Sequence, residues 1–97
     1  MRVGARPTVL RGGEYDVFRR EELRTELAAV ELSGDVEIDL RNTTFMDAGA
    51  IGLLLALRRR LQARDPVARV HLVNVPPIVR RLLQISGTAD AFGVRPK

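Results

Sequence analysis

The stretch from Val36 to Leu61, VEIDLRNTTFMDAGAIGLLLALRRRL, changes its hydrophobic period halfway along. Its first part alternates Val36, Ile38 and Leu40 with charged residues, the pattern of a half-buried strand. Its second part begins a helix at Ala48 that runs to about Gln62, with an apolar stripe of Ala50, Leu54, Leu57 and Leu61 broadened by Ile51, Leu53 and Leu55. A strand followed directly by a long helix predicts an α/β unit.

The N-terminal part of the sequence predicts two short extended segments and a helix. Pro7 to Leu10 has the character of a strand, and a Gly12–Gly13 turn leads to a second extended piece. From Phe18 to Val30, apolar residues recur at helical spacing among charged ones, at Leu23, Leu27 and Val30.

The C-terminal part predicts one more strand and helix. Val70, Leu72 and Val73 form a mostly buried strand. Pro77 suits the first position of the next helix, which runs to about Ser86, and Gly87 suits its C-terminal cap. We expect its inward residues to be Ile78, Leu82 and Ile85, and a final short strand or packing segment at Phe92 and Val94.

The order of these elements predicts a small α/β domain. We expect a mixed β-sheet of four to five strands covered by three to four helices, with residues 1–97 forming one domain. A chain of 97 residues with 45% hydrophobic and 29% charged residues has the composition of a globular protein. It has no cysteine, no secretory leader pattern and no apolar run of membrane-spanning length, so we expect a cytoplasmic protein.

The charges are unevenly distributed along the chain. Residues 12–50 hold ten acidic and four basic residues, a balance of −6, whereas residues 51–97 hold two acidic and nine basic residues, a balance of +7. The first eleven residues add three arginines. Aromatic residues are few and lie mostly outside the basic half, so the pattern is not that of a nucleic-acid-binding surface.

No set of residues predicts catalysis. The single histidine, His71, lies inside a predicted strand, and Ser33 and Ser86 are explained by helix ends. Asp39 and Asp47 lie at opposite ends of a strand–loop unit without a further metal ligand. We therefore expect no catalytic residue, no metal and no cofactor.

The start of the central helix carries unusually small residues. Asp47 is a good N-terminal cap, because its carboxylate can accept a hydrogen bond from the N–H of Gly49 or Ala50. Capping does not explain glycine at positions 49 and 52, since each glycine costs a helix roughly 1 kcal/mol relative to alanine. The small residues indicate a close approach, either by another part of the chain or by a partner.

The sequence resembles the STAS domain family, the sulfate transporter and anti-sigma-factor antagonist domain. The resemblance rests on DLRNTTFMDAGAIGLLLALRRRL at 39–61, on VHLVNVPPIVRRLLQISG at 70–87 and on the GGEYD turn at 12–16. It covers nearly the whole chain, and the length is similar to that of free-standing bacterial anti-sigma-factor antagonists.

The resemblance implies a docking site at the start of the central helix. In the family this start usually reads Asp-Ser-Ser-Gly-Leu or Asp-Ser-Ala-Gly-Leu, and a hydroxyl residue of the small pair is phosphorylated by the partner anti-sigma factor, itself a serine kinase. The matching positions are Asp47 for the aspartate, Ala48 and Gly49 for the pair, Ala50 for the glycine, Ile51 for the leucine and Gly52 for the next small residue. The phosphorylatable hydroxyl is thus missing. Thr43 and Thr44 are nearby hydroxyls that we expect to end the strand, with a moved phosphorylation site as the alternative.

The implied function is that of a bacterial regulator of transcription and signal transduction that binds an anti-sigma factor of the serine-kinase type. We expect the contact at Asp47, Ala48, Gly49, Ala50 and Gly52, in a monomer or weak homodimer that binds neither nucleic acid nor membrane. Two alternatives stay open: a STAS subunit of a transporter or stress-signalling assembly, and a small anion- or nucleotide-binding domain that uses the helix N-terminus. Asp47 argues against anion binding, because its own charge occupies the cap.

Overall fold

A computed structural model of the chain describes residues 7–94. Its strands are β1 (Thr8–Val9), β2 (Gly13–Tyr15), β3 (Val36–Asp39), β4 (Thr43–Met46) and β5 (Val70–Val73), and its α-helices are α1 (Arg20–Ala28), α2 (Ala48–Arg64) and α3 (Pro77–Ile85). Short 3-10 turns cover Val17–Arg19 and Asp90–Phe92. The predicted α/β class and its three helices are confirmed. Arg2 and Arg6, and the predicted domain limits at 1 and 97, lie outside the described residues.

The strands form two small parallel sheets. One has the order β1-β3-β5 and the other pairs β2 with β4. In register, Thr8 lies opposite Ile38, Ile38 opposite Leu72, and Tyr15 opposite Met46. The predicted number of strands, four to five, is present, but the strands are divided between two sheets. Every pair is parallel, because α1 or α2 carries the chain back between the paired strands.

One detail of the predicted strands is wrong, and one alternative that the sequence left open is decided. Thr43 and Thr44 do not end the strand that begins at Val36; β3 ends at Asp39, and Thr43 begins β4. This short strand pairs with β2, far away in sequence, and its buried residues are its first and last, so it lacks a local alternating pattern. At the C-terminus, Phe92 ends a 3-10 turn instead of forming a strand, but Phe92 and Val94 are buried, which confirms the alternative of a packing segment.

The predicted orientation of α3 is also wrong. Ile78 is 54% exposed and Ile85 is 72% exposed, whereas Val79 and Leu83 are buried and Leu82 packs partly against the core. The helix carries apolar residues on two neighbouring stripes, and hydrophobic spacing alone does not decide which stripe faces inward. Pro77 is its first residue, as predicted.

The central helix α2 forms the middle of the core. Its predicted stripe is fully buried: Ala50, Leu54, Leu57 and Leu61 each have no exposed surface. It packs beside α1, whose Leu23 and Leu27 are buried against the same core. This packing brings the N-terminal ends of α1 and α2 together at one end of the domain.

We expect Thr43→Val to stabilise the protein. The Thr43 side chain is buried, and its hydroxyl has no hydrogen-bond partner among the described residues. Valine has nearly the same shape and removes the desolvated hydroxyl, so the free energy of unfolding should rise by about 1 kcal/mol in urea titrations. Thr44→Val, at the exposed neighbouring position, should change it little and serves as the control. A loss of stability in Thr43→Val would show that this hydroxyl has a partner in solution.

Candidate functional site

Asp47 connects the start of α2 to the end of β2. Its backbone is extended, with φ −89° and ψ 179°, and its carboxylate Oδ1 accepts a hydrogen bond from the Ala50 N–H at 2.8 Å. The backbone N–H of Asp47 donates to the carbonyl oxygen of Tyr15 at 3.1 Å. The predicted N-terminal cap is confirmed, with Ala50 as the donor.

Arg20 makes a second contact with the Asp47 carboxylate. One guanidinium nitrogen, Nη2, lies 3.0 Å from Oδ1 and 2.8 Å from Oδ2 of Asp47. The two side chains are only 26% and 30% exposed. The ion pair joins the first residue of α1 to the cap of α2. Arg20 is one of the charged residues between the apolar positions of the predicted helix, and no local pattern there indicates this long-range contact.

Gly49 makes room for that arginine. A Cβ atom at position 49 would lie 2.0 Å from Nη1 of Arg20, so any side chain there would have to displace the guanidinium. The glycine at position 49 is therefore explained by a contact within the chain, because the group that approaches it closely is the Arg20 guanidinium.

The remaining small residues divide between core and surface. Ala50 was expected on the contact surface, but it has no exposed surface and packs in the core. Its side chain therefore cannot contact a partner. Ala48 is exposed. A Cβ at Gly52 would meet no heavy atom of the described residues within 4 Å, so internal packing does not require glycine at this position. The open part of the helix start consists of Ala48 and Gly52, beside the half-buried Asp47 and Gly49.

The other carboxylate considered from the sequence, Asp39, has a structural role. Its side chain is only 1% exposed and accepts hydrogen bonds from the Arg41 N–H at 2.8 Å, Arg41 Nε at 3.0 Å and Asn74 Nδ2 at 3.0 Å. The side-chain hydrogen bond from Arg41 is the main cause that lowers the pKa of Asp39 to about 2, against the effect of burial. These contacts hold the carboxylate at the end of β3, apart from the Asp47 site.

In the described part of the chain, the remaining polar residues form no second candidate site. His71 is half-exposed, with Nε2 3.9 Å from Asp35 Oδ2. Within residues 7–94, no group of three or more His, Cys, Asp or Glu side chains is placed to hold a metal ion. In the same part of the chain, no helix combines the length and the apolar character needed to cross a bilayer.

The chain is similar over most of its length to known bacterial proteins. A family model described as "Mlab, STAS domain" matches residues 2–95. A STAS-domain containing protein of Pseudomonas aeruginosa is 30% identical over 92 residues, which cover 94% of this chain and 89% of that protein. An anti-sigma-B factor antagonist of Staphylococcus epidermidis is 31% identical over 85 residues, which cover 86% of this chain and 77% of the relative.

A solved structure gives the same picture of the fold. The anti-sigma factor antagonist SpoIIAA in its unphosphorylated form matches with a TM-score of 0.67 and 27% sequence identity. The match covers 100% of this chain and 86% of that chain. The resemblance inferred from the sequence is confirmed at the level of the family.

We expect the effect of Gly49→Ala on stability to depend on Arg20. In the natural chain the new methyl group displaces the guanidinium. The lost ion pair, worth up to about 1 kcal/mol, then offsets a helix-propensity gain of similar size. In an Arg20→Ala background nothing is displaced, so Gly49→Ala should raise the free energy of unfolding by about 1 kcal/mol.

The matched control is Gly52→Ala, whose methyl enters open space. It should stabilise the protein equally in both backgrounds, as measured by urea unfolding. An equal gain from Gly49→Ala in both backgrounds would mean that Arg20 does not lie over Gly49 in solution.

Proposed function

This chain belongs to the STAS domain family, and from that premise we propose that it acts as an anti-sigma-factor antagonist that binds an anti-sigma factor of the serine-kinase type. It works in the cytoplasm by binding rather than by catalysis. The support is twofold: relatives that are anti-sigma factor antagonists, and the geometry of the start of α2.

The open start of α2 is the observation that carries the proposal. Ala48 is exposed, and no heavy atom of residues 7–94 lies within 4 Å of a Cβ placed at Gly52, so the backbone of a partner can approach the first turns closely. Asp47 and Arg20 fix the conformation of this start in advance through their ion pair. A preformed surface lowers the entropic cost of binding. The contact surface consists of Ala48 and Gly52, with Asp47 and Gly49 at its half-buried edge.

The same surface has no phosphorylation switch at the position that matches the family site. Ala48 and Gly49 carry no hydroxyl, so a kinase partner has no acceptor there. Thr43 is only 2% exposed and is closed to a kinase in the folded protein, whereas Thr44 is exposed. We therefore expect either an antagonist that is constitutively able to bind and is controlled by its amount, or a scaffold whose switch lies elsewhere, with the exposed Thr44 as the nearest hydroxyl.

We expect Gly52→Trp to disrupt partner binding. The indole would project from the helix start into space that a closely packed partner must occupy, without a clash inside the folded chain. Each anti-sigma factor of the source organism, purified separately, is titrated against the natural chain and the variant by isothermal titration calorimetry. One of them should bind the natural chain, and the Kd for Gly52→Trp should rise by about tenfold or more.

The control is Ala63→Trp, which adds the same side chain at an exposed position near the other end of α2. It should bind like the natural chain, and all three proteins should have similar melting temperatures. Equal affinity of Gly52→Trp and the natural chain would place the contact elsewhere on the domain.

We expect no phosphate on the natural chain after incubation with its kinase partner and Mg-ATP. Gly49→Ser supplies the missing hydroxyl, while its side chain displaces the Arg20 guanidinium, and it should gain one phosphate, detected by intact mass. Before phosphorylation it should bind the partner like Gly49→Ala, which displaces the same guanidinium without a hydroxyl. A phosphoserine adds roughly −1.5 to −2 charges beside Asp47, so the modified variant should release the partner. Phosphate on natural Thr44 together with release would show that the switch has moved along the chain.

A further inference from the structure

We propose that Phe18 is an aromatic anchor of this contact surface and that it enters an apolar pocket with a basic rim on the anti-sigma factor. The inference rests on the proposed function, because it names a further part of the same interface and the chemistry of the partner surface. Neither the family match nor the names of the relatives assign a role to this residue.

Phe18 is the most exposed large apolar residue in the described part of the chain. It is 91% exposed, and the adjacent Val17 is 64% exposed. Phe18 precedes α1 and does not fall at the helical spacing of the buried Leu23 and Leu27. The sequence alone therefore indicates that Phe18 is outside the buried stripe. An aromatic side chain of this kind contributes a large apolar area when a partner covers it, and aromatic residues are enriched at interfaces.

Local hydrogen bonds hold the backbone of Phe18 in place. The Asp16 carboxylate accepts from the Phe18 N–H at 2.9 Å, and the Asp16 carbonyl accepts from the Arg19 N–H at 3.1 Å. Arg19 in turn donates to the Gly12 carbonyl at 2.6 Å and lies over the Tyr15 ring, 4.6 Å from its centroid. Phe18 therefore projects from a fixed turn, and little backbone freedom remains to be lost on binding.

Tyr15, which packs against Arg19 in this turn, is buried. The Tyr15 hydroxyl donates to Glu26 Oε2 at 2.7 Å and accepts from the Gly12 N–H at 2.9 Å. Burial is the main cause that raises the pKa of Tyr15 to about 12, and the hydrogen bond to Glu26 adds to it. The phenol thus stays protonated and remains a donor throughout the neutral range.

The anchor lies at the same end of the domain as the start of α2. The carbonyl of Tyr15 accepts from the Asp47 N–H, and Arg20, two residues after Phe18, reaches the Asp47 carboxylate. Tyr15 and Arg20, which lie on either side of Phe18 in the sequence, therefore both contact the helix start at Asp47. The proposed partner covers Ala48 and Gly52 and extends to Phe18.

The charge around Phe18 indicates the chemistry of the partner. Acidic residues surround it in sequence, at Glu14, Asp16, Glu21 and Glu22. The nearby arginines are each paired with a carboxylate, Arg19 with Glu22, Arg24 with Glu21 and Arg20 with Asp47. Among the described residues, Glu14 and Asp16 therefore hold the negative charge of this turn that no ion pair offsets. An acidic rim around an apolar anchor is complementary to an apolar pocket with a basic rim. The alternative partner for Phe18 is the basic half of a second copy of this chain, residues 51–97. Binding and sedimentation measurements distinguish this self-association from binding to the anti-sigma factor.

The test compares Phe18→Ser with Val67→Ser, which removes a smaller apolar side chain that is 75% exposed on the loop after α2. Both variants are titrated against the anti-sigma factor that binds the natural chain. We expect the Kd to rise by about tenfold or more for Phe18→Ser, to stay unchanged for Val67→Ser and to be largely retained for Phe18→Trp. The association rate of the natural chain should fall with added salt, because the two rims carry opposite charges.

Each outcome decides between the two proposals. If the natural chain and Phe18→Ser bind the anti-sigma factor equally while Gly52→Trp does not bind, the anchor is wrong and the proposed function stands. If no anti-sigma factor binds the natural chain, the proposed function fails and the anchor fails with it. If sedimentation shows a dimer of the natural chain that Phe18→Ser converts to a monomer, with unchanged affinity for the anti-sigma factor, Phe18 is instead a self-association contact.

Discussion

The arrangement of the candidate site depends on one carboxylate. Asp47 accepts hydrogen bonds from the Ala50 N–H, in the first turn of α2, and from Arg20, the first residue of α1. Its own N–H is bound to the end of β2. Three elements that are separate in sequence thus meet at a single residue. A cap alone needs only an acceptor oxygen, and serine or threonine would supply it. The negative charge is what also recruits Arg20.

Much of the fold follows from hydrophobic spacing that is local in sequence. The buried stripe of α2 and the cap at Asp47 were predictable, because a long helix repeats its pattern several times and its start has a distinctive residue. The strand β4 was not, because four residues that pair with a distant strand carry too little pattern. The orientation of α3 was not, because two apolar stripes compete and only the neighbouring elements choose between them.

The position of the candidate site was predictable from the sequence, but the contacts of its residues were not. The small residues indicated a close approach at the start of α2, but the sequence could not say by what. The structure divides them: Gly49 accommodates Arg20, Ala50 packs in the core, and Ala48 and Gly52 face open space. Arg20 was missed because its partner lies far along the chain, whereas the exposure of Phe18 was open to inference from its place outside the buried stripe.

The contact between Arg20 and Gly49 also has an evolutionary consequence. A side chain at position 49 and a guanidinium seated against Asp47 compete for the same volume, so a substitution at one position changes the effect of a substitution at the other. A lineage that acquired serine at position 49 while keeping Arg20 would first lose the ion pair. Replacement of the arginine before the glycine avoids that step. The two positions form an epistatic pair on different helices, and the history of this surface depends on the order in which they change.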